Sequence, residues 1–510
     1  MRYSIYFSII FVFIGTLSIK AQDKPNIIFL MTDDQRWDNM GCYGKAEFNT
    51  PNIDQLSAEG VTFDNAYYAV AICMPSRVTM MTGRFNSNHQ VGFVAPTDYT
   101  LSQKDFSKSY PALLKKEGYR TGFIGKMGFT VTPKAVRPST PKEQFYKENV
   151  GSVFDFFAGS ETTESKGHVI WPEEDKTLKN IYQEDRKNSG RTLRTGEAIL
   201  HFLDTNPKDQ PFCLSVSFYA VKHDNNRHIY WPHYEQYENK NLTVPENWVV
   251  ENEQLPAVVK ENARGVRLHR ERSSTSEKYQ KLVRRFATQG YSVDCQVGLL
   301  MEKLKEKELL KNTVIIYTSD NGRFQGSHGL FDKCLLYDES VKAPLIIYDG
   351  RKTQQQQGFR EKALVSSVDM APTILALAGV SAPATMQGRD LTKILDQTQD
   401  KSQWRDAVFM EDLFLVAMFS ERYKKNVDEI NSALIKNNKS YRSHGIRTEQ
   451  YKYFVYYEHS PKIEELYDME NDPLEQNNLA QSPAHSEILK SLRDKTEQMY
   501  QNILPQREEF

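Results

Sequence analysis

The sequence lacks the features that mark several large classes of protein. Among 510 residues there are only 5 cysteines, with no CxxC pair and no zinc-ligand spacing, so neither a disulfide framework nor a zinc module is encoded. Glycine (26) and proline (21) are too few for a collagen-like or low-complexity chain, and no internal repeat is visible. Net charge is also missing: 65 Lys+Arg against 66 Asp+Glu leaves −1, with no global field to recruit nucleic acid or an anionic membrane. Beyond the first 21 residues nothing approaches the roughly 20 consecutive apolar residues of a spanning helix, so no stable membrane insertion is expected. What remains is a large globular chain with room for a big core.

Met1 and Arg2 precede an apolar run over 5–17, after which Ile19-Lys20-Ala21-Gln22 turns polar. This reads as a signal peptide over residues 1–21 and hence as an exported protein, periplasmic or secreted. An odd cysteine count in an exported chain leaves at least one thiol without an intramolecular partner, which makes a reactive or modified cysteine worth seeking. The densest basic stretch, Arg264 to Arg285, has Glu261 just ahead of it and Glu271 and Glu277 within it, and reads as a solvated helix face, with anion binding as the alternative.

Short apolar runs alternate with helical patterns. The run 25–31 (PNIIFLM) reads as a strand buried on both faces that ends at Asp33-Asp34. Thr50-Pro51 opens a helix that stops at Gly60, 61–70 is strand-like, and Pro75 pre-sets the first turn of a helix ending at Gly83. Further strands are expected over 121–124 (ending at Gly125-Lys126), 212–220 (followed by His223-Asp224), 313–318 (ending at Ser319-Asp320-Asn321-Gly322) and 344–348, with a long helical stretch over 277–310. Residues 131–194 read as an irregular insertion. The pattern predicts an α/β fold with a large, mostly parallel sheet covered by helices on both faces. In such sheets ligands bind at the carboxyl ends of the strands, where Asp33, Asp34, Lys126, His223, Asp320 and Asn321 all fall. A catalytic domain over 22–400 and a smaller C-terminal α+β subdomain over 401–510, with antiparallel strands and a closing helix, follow from the change of pattern near Asp400 to Trp404.

Paired carboxylates at one strand end and an Asp-Asn pair at another form an all-oxygen donor set suited to a hard cation such as Ca2+ or Mg2+, although a single Asp-Asn-Gly alone is ordinary turn chemistry. Cys73 stands just before a predicted helix N-terminus, where backbone N–H groups and the dipole stabilise negative charge, with Arg77 one turn in. Taken singly, Cys73 reads as a buried structural thiol, Lys126 and Lys333 as surface lysines, and His223 equally as a satisfied loop residue.

The motifs themselves are more specific. Cys73-Met74-Pro75-Ser76-Arg77 with Met81-Thr82-Gly83-Arg84 resembles the C-x-P-S-R…T-G-R signature of the type I sulfatases of the alkaline phosphatase-like superfamily. The likeness extends through PNIIFLMTDDQ (25–35), TPNIDQL (50–56), GYRTGFIGK (118–126), TSDNG (318–322), His328-Gly329 to Lys333, 343–346, 368–373 and the C-terminal Leu466-Tyr467-Asp468. The resemblance implies that Cys73 is oxidised to formylglycine (3-oxoalanine) and acts as the nucleophile. It implies that Asp33, Asp34, Asp320, Asn321 and the modified Cys73 bind one Ca2+, that Arg77 and Lys126 hold the formylglycine diol, and that His223 and Lys333 contact the sulfate ester. The implied partners are a sulfated carbohydrate, such as an algal glycan or a glycosaminoglycan, and a formylglycine-generating or anaerobic sulfatase-maturating enzyme. Trp171, Tyr230, Trp231 and Tyr234 are candidate sugar-stacking faces.

One departure stands out. The family pattern G-K-x-H becomes Gly125-Lys126-Met127-Gly128, so the expected histidine is a glycine. Either another residue, with His89 and His168 as candidates, takes its place, or the pocket works without it. Two rivals follow from the residues: a phosphatase or phosphodiesterase of the same superfamily, disfavoured by Cys73 and Asn321, and a non-catalytic sulfated-glycan binder if Cys73 stays an unmodified thiol.

Overall fold

The computed structural model describes residues 24–92, 99–135, 147–160, 168–183, 190–222, 229–413 and 427–504. The first apolar run forms the strand Asn26–Thr32, buried along its whole length. Because side chains alternate across a strand, Ile27, Phe29 and Met31 join the core on one face of the sheet and Ile28 and Leu30 the core on the other. The first core is closed by the helices Cys73–Thr82, Tyr110–Lys116 and Met370–Leu377, through Val78, Met80, Leu114, Ile374 and Leu375. The second is closed by Pro51–Glu59, Arg191–Asp204 and the 31-residue helix Ser276–Glu306, through Ile53, Leu56, Ile199, Phe202, Val293, Val297 and Leu300. Two apolar faces, both covered, explain why the central strands carry continuous apolar runs.

The nine-stranded sheet runs in the order Phe359–Glu361, Val61–Phe63, Leu345–Asp349, Thr313–Ser319, Asn26–Thr32, Phe212–Ser217, Arg120–Lys126, Phe156–Ser160, Val169–Trp171. The five strands from Thr313–Ser319 to Phe156–Ser160 are mutually parallel. Leu345–Asp349 is antiparallel to both its neighbours, and Val169–Trp171 to Phe156–Ser160. Register places Thr32 beside Ser319, Met31 beside Ser217, and Ser217 beside Gly125, so four carboxyl ends lie side by side at one edge.

Several expectations need correction. The expected strand over 61–70 is two short ones: at Asp64-Asn65 the chain leaves the main sheet, and Ala66–Tyr67 pairs with Val365–Ser366 in a separate ribbon. The polar pair is held there by Asp64 N–H on the Glu361 carbonyl and Asn65 Nδ2 on that of Lys362. The region 131–194 is more than an insertion, since Phe156–Ser160 (FFAGS) is a fully buried parallel strand of the main sheet. The helix expected from Pro75 to Gly83 begins at Cys73 itself, so the cysteine lies in the first turn rather than ahead of it.

At the C-terminal end, Ala407–Asp412, Ser443–Thr448, Tyr451–Tyr456 and Ile463–Asp468 form an antiparallel four-stranded sheet, on which the helix Ser486–Ile503 packs Leu489, Leu492 and Ile503. This sheet is tied to the segment after Lys333. Buried Lys452 donates to Asp338 and Glu475, both at 2.7 Å, and Glu465 accepts the hydroxyls of Tyr337 (2.8 Å) and Tyr456 (2.7 Å). Among the described residues no helix is long and apolar enough to cross a membrane.

Candidate active site

The edge where the parallel strands end gathers three fully buried carboxylates. Asp33 and Asp34 follow Asn26–Thr32, Asp320 follows Thr313–Ser319, and one oxygen of each lies within 4.8 Å of the others. Asp34 adopts a left-handed backbone (φ 62°), which aspartate tolerates better than most residues, and its amide thereby donates to Asp320 Oδ1 at 2.9 Å. Asn321 Nδ2 donates to Asp34 Oδ1 at 2.8 Å. Crowding is costly here: burial, and then the neighbouring Asp33, push the Asp320 carboxyl above its ordinary range. Asp33 Oδ1 is buried and accepts no hydrogen bond. An orphaned carboxylate oxygen, two further carboxylates and the Asn321 amide oxygen make an all-oxygen cluster whose chemistry fits a hard divalent cation.

Cations close in on the same cluster. Arg77 directs Nε (2.9 Å) and one terminal nitrogen (2.7 Å) at Asp320 Oδ2, and the other at the Lys126 carbonyl (2.6 Å) and the Ser217 hydroxyl. Lys126 Nζ donates to Asp33 Oδ2 at 2.6 Å. Lys333 Nζ donates to Asp34 Oδ1 and, at 2.9 Å, to Asn321 Oδ1, so an ammonium already sits against two of the expected cation ligands. Arg323 donates to Asp34 Oδ2 at 2.8 Å. Burial alone would raise the Asp33 and Asp34 carboxyls, but Lys126 and Lys222 for the first, and Lys333 and Lys222 for the second, hold both below the usual range.

Cys73 opens its helix with Ile72 as N-cap, is 5% exposed, and lies within electrostatic reach of Arg77, Lys126, Lys222 and Lys333. Arg77, one helical turn on, is placed by that helix between Cys73 and Asp320. The tertiary structure therefore brings together Asp33, Asp34, Cys73, Arg77, Lys126, Asp320, Asn321 and Lys333. His223 lies outside the described residues.

Three contributors were not legible in the sequence. Lys222 sits with Nζ 3.7 Å from Cys73 Sγ and 3.6 Å from Asp33 Oδ1; Arg323 and Ser217 were likewise unmarked by any motif. The position of Arg323 directly after TSDNG was the one available hint.

The space at Gly128 is filled by Arg77. A Cβ built on Gly128 would stand 2.5 Å from Arg77 Cδ and 3.0 Å from its Nε, and the backbone there is left-handed (φ +86°). Neither histidine considered as a substitute points there. His89 is engaged with the Thr79 hydroxyl (3.1 Å) and accepts the Val91 amide (3.0 Å), while the His168 ring lies tilted against Tyr182, with ring centroids 4.5 Å apart. Of the aromatic candidates, Trp171 (38%) and Trp231 (46%) are exposed, and Tyr234 packs edge-on against Trp231.

Known proteins resemble this chain over most of its length. The chain is 28% identical to an N-acetylglucosamine-6-O-sulfatase of Bacteroides thetaiotaomicron, across 95% of this chain and 88% of the relative. It is 25% identical to an ulvan-active sulfatase of Formosa agariphila, across 91% and 80% respectively. A solved structure of an enzyme in complex with its substrate D-glucosamine-2-N,6-O-disulfate superposes with a TM-score of 0.74 at 25% identity, covering 95% of this chain and 100% of that one. A phosphonate monoester hydrolase of Agrobacterium radiobacter (TM-score 0.66, 21% identity, 94% and 96% covered) shares the fold alone. A family model described as N-sulphoglucosamine sulphohydrolase, C-terminal, matches 326–502, a span that takes in all four C-terminal strands and most of the closing helix. With the Sulfatase family model matching residues 25–380, which hold every carboxylate and cation of the strand-end cluster, the chain belongs to the sulfatase family and is a sulfuric ester hydrolase.

Proposed function

We propose that this protein is an exported, calcium-dependent sulfatase of sulfated glycans that works through formylglycine at position 73. The observation that carries the reading is the placement of Cys73 in the first turn of a buried helix, among four cations and beside three buried carboxylates. A thiol with a purely structural role needs no such surroundings.

Asp33, Asp34, Asp320, Asn321 and the modified residue 73 would hold Ca2+, which supplies positive charge against the ester's anionic oxygens. Oxidised to formylglycine and hydrated, residue 73 would supply the oxygen nucleophile for the ester sulfur, displacing the sugar hydroxyl, and Arg77 and Lys126 would hold it. The other residues orient and neutralise. Arg77 is locked by Asp320, the Lys126 carbonyl and Ser217, so its guanidinium is pre-organised and needs no rearrangement as charge develops. Lys126, anchored on Asp33 Oδ2 at the strand end, would hold the diol. Lys333 and His223 contact the ester, and one of them returns a proton to the leaving oxygen.

The substrate class is a sulfated polysaccharide or oligosaccharide, on the strength of relatives whose names specify N-acetylglucosamine-6-O-sulfate and ulvan. Exposed Trp171 and Trp231 suit sugar stacking. Export rests on the charged start and short apolar run of residues 1–21. The test pairs peptide mass mapping of residue 73 with sulfate release from defined algal and glycosaminoglycan oligosaccharides. An active enzyme carrying only unmodified Cys73, or full activity in Cys73→Ala, would overturn the reading.

A further inference from the structure

Among the described residues, one cation of the strand-end cluster makes its hydrogen bond to residue 73 itself rather than to a carboxylate or a carbonyl. Arg77 and Lys126 are committed to carboxylates and carbonyls at 2.6–2.9 Å, Arg323 to Asp34 and a backbone carbonyl, and Lys333 to Asp34 and Asn321. Lys222 differs. Its carboxylate partner, Asp33 Oδ1, is at 3.6 Å, an ion pair without a hydrogen bond, and its ammonium donates to Cys73 Sγ at 3.7 Å, within the longer reach of a bond to sulfur. Its side chain is also the most open of the set, 18% exposed against 1% for Arg77, 4% for Lys126 and 8% for both Arg323 and Lys333.

The backbone beneath it is held firmly. Asp33 N–H donates to the Ala220 carbonyl (2.7 Å), Val221 N–H to the Asp33 carbonyl (2.8 Å), and Arg323 to the Lys222 carbonyl (2.8 Å) while also gripping Asp34. The segment that carries Lys222 is thus fastened to the carboxylate cluster at three points. A long, flexible side chain on a fixed base delivers its ammonium to a small region, and that region borders atom Sγ of residue 73. In the proposed enzyme this sulfur marks the place from which the nucleophilic oxygen is presented.

We infer that Lys222 is a further catalytic residue, its ammonium binding a non-bridging oxygen of the sulfuryl group as that group is attacked from residue 73. In-line displacement sets the equatorial oxygens of the transferred group next to the attacking atom, where the Lys222 ammonium stands against residue 73. Lys126 holds Asp33 through its other oxygen, Oδ2, at 2.6 Å, while Lys222 approaches Oδ1 without bonding it and spends its one hydrogen bond among the described residues on residue 73. Arg323 acts through Lys222 and Asp34, and is a positioning residue. The inference rests on the sulfatase reading above and adds to it a contact made to the substrate.

The test uses the calcium-loaded full chain, with formylglycine content measured by peptide mass, in wild type, Lys222→Met and Lys222→Arg. Aryl sulfates with phenols of graded acidity report kcat/KM, and titration calorimetry with inorganic sulfate reports anion binding. Removing a cation from a developing anion lowers kcat/KM by about 10²–10³-fold. Lys222→Met should show that loss by the same factor for every phenol, with sulfate binding weakened and formylglycine content unchanged; Lys222→Arg should recover most of the sulfate affinity. Activity of Lys222→Met within about threefold of wild type would overturn the assignment. So would a loss that grows with phenol pKa, which would make Lys222 a proton donor to the leaving oxygen, or a loss that merely follows formylglycine content. A wild type that cleaves none of the esters would sink the sulfatase reading instead, and the sulfate titration would then decide on Lys222 alone.

Discussion

Gly128 offers the sharpest test of how the site is built. Replacing it with alanine adds one carbon, 2.5 Å from Arg77 Cδ, in a backbone at φ +86°. Non-bonded carbons settle at about 3.5–4.0 Å, so one of the two groups must move by roughly 1 Å. Arg77 has little freedom to do so, being 2% exposed and tied to Asp320, Lys126 and Ser217. Two costs combine: a left-handed alanine, about 1–2 kcal/mol, and overpacking, about 1–3 kcal/mol. Gly118 separates them, since it has the same φ of +86° but nothing within 4 Å of the added carbon. Gly118→Ala should therefore lose only the backbone share of stability and keep full activity. Gly128→Ala should melt lower than Gly118→Ala and lose activity on the order of 10²-fold, the usual consequence of a catalytic group displaced by about 1 Å. Gly128→His, which would restore the family pattern, should fare worse than alanine. The assays are thermal denaturation and kcat/KM on one aryl sulfate. Equal melting and equal activity for the two alanine variants would refute the clash, and a gain of activity in Gly128→His would show that Arg77 yields readily and that the position is simply vacant.

Other expectations follow from the same geometry. Arg77→Lys keeps the charge but not the fork that reaches Asp320 Oδ2 and the Lys126 carbonyl together, so kcat/KM should fall by about 10²-fold with formylglycine content unchanged; near-normal activity would show that charge alone suffices. Ca2+ at about 100 times its Kd should add about 2.7 kcal/mol of stability that chelation removes, whereas two stoichiometric zinc ions by elemental analysis would move the protein to the phosphatase branch. Glu411 is fully buried, with the Ser87 amide on Oε1 at 2.9 Å and no partner for Oε2, and burial pushes its carboxyl up to about 7. A raised folded-state pKa means the native protein retains a proton that the unfolded chain releases. The stabilisation is complete below the unfolded value and is lost as pH rises towards 7, by about 3 kcal/mol in all. Glu411→Gln should flatten that slope in urea unfolding between pH 5 and 8; an unchanged slope would mean the carboxyl is ionised when buried.

The sequence alone determined the parts of this protein that are written in local pattern. Continuous apolar runs marked Asn26–Thr32 and Thr313–Ser319, because a strand covered on both faces must be apolar at every position, and the carboxylates at their ends marked one edge of the sheet. Cys73, Arg77 and Lys126 were legible through motif, and the lost histidine at Gly128 through its absence. Tertiary structure decided the rest. Phe156–Ser160 escaped notice because FFAGS has neither β-branched residues nor alternation, and it is a strand only because Arg120–Lys126 offers it an edge. Leu345–Asp349 runs antiparallel for reasons of chain path that no local signal carries. Lys222, in V-K-H, looks like any surface lysine until the Asp33–Ala220–Val221 backbone bonds bring it beside residue 73. The occupant of the Gly128 space is Arg77, 51 positions away, and which side chain fills a vacated volume is set by packing in three dimensions rather than by neighbours along the chain.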